Sequence, residues 1–260
     1  MEVYGVKLEN QANPRISELL ALICPRKAAR LQGFLSELDL RRSLLADLLA
    51  RYAISQKLKV PYSQIKIYDG KRGKPCSIPC VSFSVSHSAQ YAVCALGESK
   101  GVGIDIEKIR DLNRAVVGAV CSDCEKAFIC RNGEADFNAF FKIWTAKESY
   151  AKCENISMDE SLARLESMAL SVSGTLIDYE RLSGRCFCQT DTELSGYVIS
   201  VCATEREPMG SVNAYSEREI CDCALFSAYP KIPYWCRKSP GECFNAGLFR
   251  HLGYNFGICS

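Results

Sequence analysis

Apolar positions along the chain fall into two periods. From Ser36 to about Lys57, Leu40, Leu44, Leu45, Leu48, Leu49 and Tyr52 recur at helical spacing, which predicts a long amphipathic helix. Ser36, with Asp39 three residues on, resembles a capping box that opens it. Ala135 to Asn155 contains no Gly or Pro and predicts a second long helix. A weaker pattern predicts a helix from Pro14 to Cys24 ended by Pro25, and Ser122 with Glu125 caps a short helix ending near Cys130. Residues 1–9, Ile65–Tyr68, Tyr91–Leu96, 171–178, 186–189 and 197–204 read as strands.

One strand carries its own chemistry. In Gly101-Val102-Gly103-Ile104-Asp105-Ile106-Glu107, Val102, Ile104 and Ile106 alternate with Gly103, Asp105 and Glu107. Asp105 and Glu107 therefore share a face, where two carboxylates repel unless a cation or a proton lies between them. On the second long helix, Trp144, Glu148 and Lys152 stand four apart and stack along one face, with Lys147 beside Trp144. Taken alone, Glu148 and Lys152 make a solvated pair worth about 0.2–0.5 kcal/mol. Asp105 and Glu107 alone fit the polar outer face of a half-exposed strand. Taken together, three carboxylates supply the all-oxygen donor set that Mg²⁺ prefers.

Composition narrows the class. At 260 residues, 48% apolar and 24% charged, the chain can bury a full core. It has no apolar run near membrane-spanning length, and its start carries no signal-peptide pattern, so the expected location is the cytoplasm. Sixteen cysteines could form a secreted framework, but without an export signal reduced thiols fit better, and Cys94 and Cys202 read as small core residues. Cys121-x-x-Cys124 is at most half a zinc site, with no second pair at convincing spacing. The net charge of +2 hides a basic start: residues 1–75 hold fourteen Lys or Arg against seven Asp or Glu. An anionic partner is expected there, and nucleic acid is disfavoured by the lack of a long basic run or recognition motif. Arg41, Arg51 and Arg26 read as surface charge.

The pattern Gly-Ile-Asp-Ile-Glu (103–107), followed by Trp-Thr-Ala-Lys-Glu-Ser-Tyr-Ala-Lys (144–152), resembles the signature of 4′-phosphopantetheinyl transferases, most closely the large surfactin-synthetase-activating type. Gly73-Lys74-Pro75 and Phe83-Ser84-Val85-Ser86-His87-Ser88 extend the likeness, with Ser84 where the family usually has Asn. The resemblance covers residue 1 to about residue 222. It implies an α+β fold of two similar halves about a pseudo-twofold axis, each a small antiparallel sheet packed on a long helix. The first lobe would span 1–100 and the second 101–222, leaving 223–260 as an extension matching nothing in the family.

It further implies that the phosphopantetheine arm of coenzyme A passes to a serine of an acyl- or peptidyl-carrier protein, releasing adenosine 3′,5′-bisphosphate. Lys27, Arg30, Arg42 and Ser43 would hold the 3′-phosphate side, Lys74 would lie near the nucleotide, and Ser86 and His87 would donate to phosphates. Asp105, Glu107 and Glu148 would hold Mg²⁺, and Lys152 would neutralise charge on the diphosphate, with Lys147 at the same phosphates or shaping the site. The serine proton would go to Glu148 or to a metal-bound water. A monomer with no membrane and no nucleic-acid partner is expected. Two rival readings are a catalytically silent carrier-binding protein and a cysteine-rich metal or redox protein.

Overall fold

The computed structural model describes residues 1–11, 13–131, 134–166, 169–173, 176–180, 187–191 and 194–228. The chain starts with β1 (Glu2–Lys7) and two short helices, α1 (Ile16–Leu20) and α2 (Pro25–Gln32). The helix expected to run to Cys24 stops at Leu20, and Pro25 opens the next one instead. Proline suits a first helical turn, whose N–H groups have no intrahelical acceptor. The leucine-rich stretch forms α3 (Glu37–Leu58), where Ser36 Oγ accepts from the Asp39 N–H and Lys59, in the left-handed region at φ 54°, ends it. A hairpin of β2 (Lys66–Asp69) and β3 (Pro75–Ile78) leads into β4 (Ser82–Ser88) and β5 (Tyr91–Gly97). Leu44, Leu45, Leu48 and Leu49 of α3 are buried in one cluster with Val6, Phe83, Cys94 and Leu96 of the strands.

Then come β6 (Val102–Lys108), the short helices α4 (Arg114–Val120) and α5 (Asp123–Ile129), and a two-residue pair, β7 (Cys130–Arg131) with β8 (Glu134–Ala135). The second long helix, α6 (Phe137–Glu154), is capped by Asp136 and followed by α7 (Met158–Glu166). The stretch 171–178 falls on an antiparallel pair, β9 (Ala169–Ser173) and β10 (Leu176–Glu180), and β11 (Phe187–Asp191), β12 (Tyr197–Ala203), β13 (Val212–Ser216) and α8 (Glu217–Ala228) complete the order. No helix among the described residues is long and apolar enough to cross a membrane.

Two sheets carry the architecture, with strand orders β13-β1-β5-β4 and β11-β12-β6. Val3, Val93 and Ala95 of one meet Val102, Ile104, Ile106 and Val201 of the other in a shared apolar core. Each such aliphatic side chain contributes about 1.5–3 kcal/mol by leaving water. The second lobe was expected to run to residue 222, but the chain crosses back before then. Here β13 pairs in parallel with β1, and Ile220, Cys221, Ala224 and Leu225 of α8 join the leucine cluster of α3. Of the expected extension 223–260, only 223–228 lies within the described residues, as the end of α8.

Two arginines read as surface charge are buried. Arg41 Nη2 donates to Glu217 Oε2 at 2.6 Å and to the Glu9 carbonyl at 2.9 Å. Arg51 donates through Nε to Asp47 Oδ1 at 2.7 Å, and through Nη1 to the Leu22 and Ile65 carbonyls. A guanidinium can be buried when a carboxylate and carbonyls take its donors. Cys94 and Cys202 are fully buried, and every described cysteine is a free thiol. Cys124 and Cys130 are exposed.

The two sheets also meet edge to edge. Ser86 and Ser88 of β4 donate to Asp105 and Glu107 of β6, at 2.7 and 2.9 Å. On the face of β6 that carries Asp105, α6 comes down onto the strand backbone at Gly103. A Cβ there would stand 1.8 Å from the Ser149 carbonyl oxygen and 2.7 Å from the Cys153 nitrogen. Only a residue without a side chain lets helix and strand approach so closely.

Candidate active site

The period-2 alternation of β6 buries Val102, Ile104 and Ile106 between the sheets and leaves Asp105 and Glu107 on the opposite face. Helical spacing brings Glu148 and Lys152 of α6 to the same place. Lys152 Nζ donates to Asp105 Oδ1 at 2.7 Å and to the Ile104 carbonyl at 3.1 Å. Lys152 therefore bridges helix to strand rather than pairing along the helix with Glu148. Glu107 Oε2 accepts from Ser88 and from Arg110 Nη1, the latter at 3.1 Å. Burial, and then the charge of Asp105, push the Glu148 carboxyl above its usual range, with Glu107 adding to the effect and Lys152 opposing it. Trp144 stacks on Phe140 with centroids 6.4 Å apart and anchors the start of this helical face.

Glu148 and Lys152 line a cleft of roughly 330 Å³, walled on its far side by Arg72, Gly73, Lys74 and Pro75. Gly73 adopts φ 81°, a conformation that glycine takes without strain.

The first-half residues gather around His87. Its Nε2 lies 3.1 Å from Ser43 Oγ. Burial holds the His87 pKa below 6.5, and the nearby charges of Arg42, Lys152 and Lys27 lower it further. Three cations thus surround one imidazole. Each already has a protein partner. Lys27 Nζ donates to the buried Asp47 Oδ2 at 2.9 Å, and Arg42 donates to the Ala89 carbonyl and pairs with Asp39. Arg30 stands further out, exposed, donating to Asp69 at 3.3 Å.

Three of the expected residues are engaged within the protein. Lys147 faces away from the cleft: its Nζ is buried, donating to Glu125 Oε2 at 2.6 Å and to the Val120 carbonyl at 2.7 Å. Position 147 lies on the opposite side of α6 from position 152, and its ammonium ties α6 to α5. Ser86 donates its hydroxyl proton to Asp105 and so orients that carboxylate. Lys74 Nζ donates to the Val102 carbonyl at 3.0 Å and the Lys152 carbonyl at 2.6 Å, and burial holds its pKa below the usual lysine value. Sequence reasoning missed Ser88, Asp47 and Arg72. Ser88 had a readable signal, since Ser86-x-Ser88 carries the same two-residue spacing as Asp105-x-Glu107.

Asp105, Glu107 and Glu148 offer carboxylate oxygens, the donor type of a hard divalent cation. As they stand, no three His, Cys, Asp or Glu side chains among the described residues are gathered closely enough to enclose an ion. Asp105 Oδ2, however, is buried with no hydrogen-bond partner, an expensive state for a carboxylate oxygen. Asp105 and Glu107 also raise the pKa of Glu148, so the three carboxyl groups share one field. An unpaired buried oxygen beside mutually repelling carboxylates fits Mg²⁺.

The chain is similar to known proteins over most of its length. A family model described as the 4′-phosphopantetheinyl transferase superfamily matches residues 101–202, and one described as the N-terminal part of a 4′-phosphopantetheinyl transferase matches 11–99. Among relatives, 4′-phosphopantetheinyl transferase Sfp of Bacillus subtilis (strain 168) is 27% identical over 225 residues, covering 85% of this chain and 100% of its own length. The 4′-phosphopantetheinyl transferase gsp of Aneurinibacillus migulanus is 29% identical over 241 residues, covering 88% of this chain and 97% of its own. A mouse L-aminoadipate-semialdehyde dehydrogenase-phosphopantetheinyl transferase is 28% identical over 170 residues, covering 58% of this chain and 55% of its own. The chain belongs to the 4′-phosphopantetheinyl transferase superfamily and is an enzyme of that class.

Proposed function

We propose that this protein transfers the phosphopantetheine arm of coenzyme A to a serine hydroxyl of an acyl- or peptidyl-carrier protein. The observation that carries the proposal is the meeting of Asp105 and Glu107 with Glu148 and Lys152, the latter two lining one cleft, beside the cationic surroundings of His87. The serine oxygen forms a bond to the inner phosphorus of the diphosphate, the bridging P–O bond breaks, and adenosine 3′,5′-bisphosphate leaves with the bond's electron pair. Glu148, which lines the cleft, takes the serine proton. Lys152 Nζ, held at the cleft by Asp105, meets the charge that develops on the phosphoryl oxygens. Asp105, Glu107 and Glu148 would hold Mg²⁺, which when bound supplies charge neutralisation to the diphosphate. Packing of α3 on β4 and β5, and of α6 on β6 and β12, supports reading the molecule as two similar halves about a pseudo-twofold axis. Mass gain of an apo-carrier incubated with coenzyme A tests the reaction.

His87 gives a test of the donor. In free protein its pKa lies below 6.5. A 3′-phosphate against the ring would favour the imidazolium and raise that pKa. Binding then takes up a proton, so affinity rises as pH falls from the bound-state pKa towards the free-state pKa. Coenzyme A is expected to bind about tenfold or more tightly than its 3′-dephospho form. Calorimetry in buffers of different ionisation heat should show proton uptake for coenzyme A, and none for the dephospho form or for His87→Ala. Equal affinities and no proton uptake would remove the 3′-phosphate from this corner.

A further inference from the structure

Lys74 lines the cleft but directs its ammonium into the protein. Both of its acceptors are backbone carbonyls, one on each element of the proposed site. Val102 begins β6, three residues before Asp105, and Lys152 lies in the last turn of α6, one turn after Glu148. The Lys152 carbonyl is among the last four of its helix, which lack intrahelical donors. Ile156 N–H, in register to reach it, goes to the Ala151 carbonyl instead, at 3.1 Å, because Asn155 ends the helix in the left-handed region at φ 55°. Lys74 Nζ supplies the donor, and its charge lies where the helix dipole is negative.

The two lysines cross the same seam. Lys152 reaches from α6 to β6 with its side chain, and Lys74 spans β6 and α6 from outside. Gly103 sits between them, where strand and helix backbones touch.

Building on the transferase reading above, we propose that Lys74 is a positioning residue. It straps the end of α6 to the start of β6 and so sets the spacing between Asp105 and the Glu148–Lys152 pair. Lys74 works through these residues and makes no contact of its own with coenzyme A phosphates.

The experiment is Lys74→Met in the full chain, with turnover on an apo-carrier, coenzyme A affinity by calorimetry, and circular dichroism. The strap predicts turnover reduced by about tenfold to 10²-fold, the cost of a site loosened by less than an ångström, with coenzyme A affinity near that of wild type. Lys74→Arg, whose guanidinium can donate to both carbonyls, should recover much of the turnover. A nucleotide contact predicts the reverse for Lys74→Met, affinity lost with turnover at saturation kept, and that result would overturn the strap. So would a lower denaturation midpoint with both constants unchanged. Should Lys74→Met fail to fold, Lys74→Gln, which keeps one donor group, carries the same comparison with the same two outcomes. If wild type loads no carrier, the transferase reading fails. If wild type loads and Lys74→Met behaves like it, the strap alone fails.

Discussion

Lys152→Met is expected to lower turnover by about 10²–10³-fold, the usual cost of removing one preorganised charge contact from a transition state. The ammonium sits between Asp105 Oδ1 at 2.7 Å and the Ile104 carbonyl at 3.1 Å, and the side chain stays 30% exposed on the cleft side. That partial exposure lets it meet a substrate while its position is held. Coenzyme A affinity should change far less than turnover, because the contact strengthens as charge moves onto the phosphoryl oxygens. Lys152→Arg should rescue in part only, since a planar fork does not fit a place shaped for a compact ammonium. Measuring kcat, coenzyme A affinity and the denaturation midpoint together separates the alternatives. Unchanged turnover with a small stability loss would reduce Lys152 to a structural bridge between α6 and β6.

A second large effect is expected from one methyl group. Gly103→Ala places a Cβ 1.8 Å from the Ser149 carbonyl oxygen and 2.7 Å from the Cys153 nitrogen, both backbone atoms of α6. No rotamer relieves that overlap, so helix and strand must separate by more than an ångström. Overpacking of this kind costs about 1–3 kcal/mol, at times more. The site should suffer further, because Asp105 lies on the strand and Glu148 and Lys152 on the helix. A displacement near 1 Å commonly costs about 10²-fold in rate. Denaturation and carrier loading would be measured on the same preparation. Wild-type values for both would mean that α6 does not seat on β6 at Gly103.

Local periodicity made much of this site readable. The alternation through Asp105 and Glu107 and the four-residue spacing through Trp144, Glu148 and Lys152 each place their side chains from backbone geometry alone. The leucine stripe of α3 was readable for the same reason. What escaped depended on partners distant in sequence. Arg41 looks like a surface cation until Glu217, 176 residues on, comes back against it. Lys147 shares a motif with Glu148, yet its direction is decided by Glu125, 22 residues earlier, and by the Val120 carbonyl. Lys74 is expected near the nucleotide only through the resemblance of Gly73-Lys74-Pro75 to the family motif. Its acceptors are backbone carbonyls, which carry no residue identity and leave no trace in sequence. The return of residues 212–228 to the first half was hidden likewise, since β13 declares itself only by pairing in parallel with β1.

The most direct measurement is the intact mass of an apo-carrier protein after incubation with this enzyme, coenzyme A and Mg²⁺. Parallel reactions would contain a chelator or the Asp105→Ala variant. The account predicts a gain equal to one phosphopantetheine arm on the carrier serine with wild type, and an unmodified carrier in both parallels, with Asp105→Ala still folded by circular dichroism. Unmodified carriers across a panel treated with folded wild type, or full loading by Asp105→Ala, would contradict it.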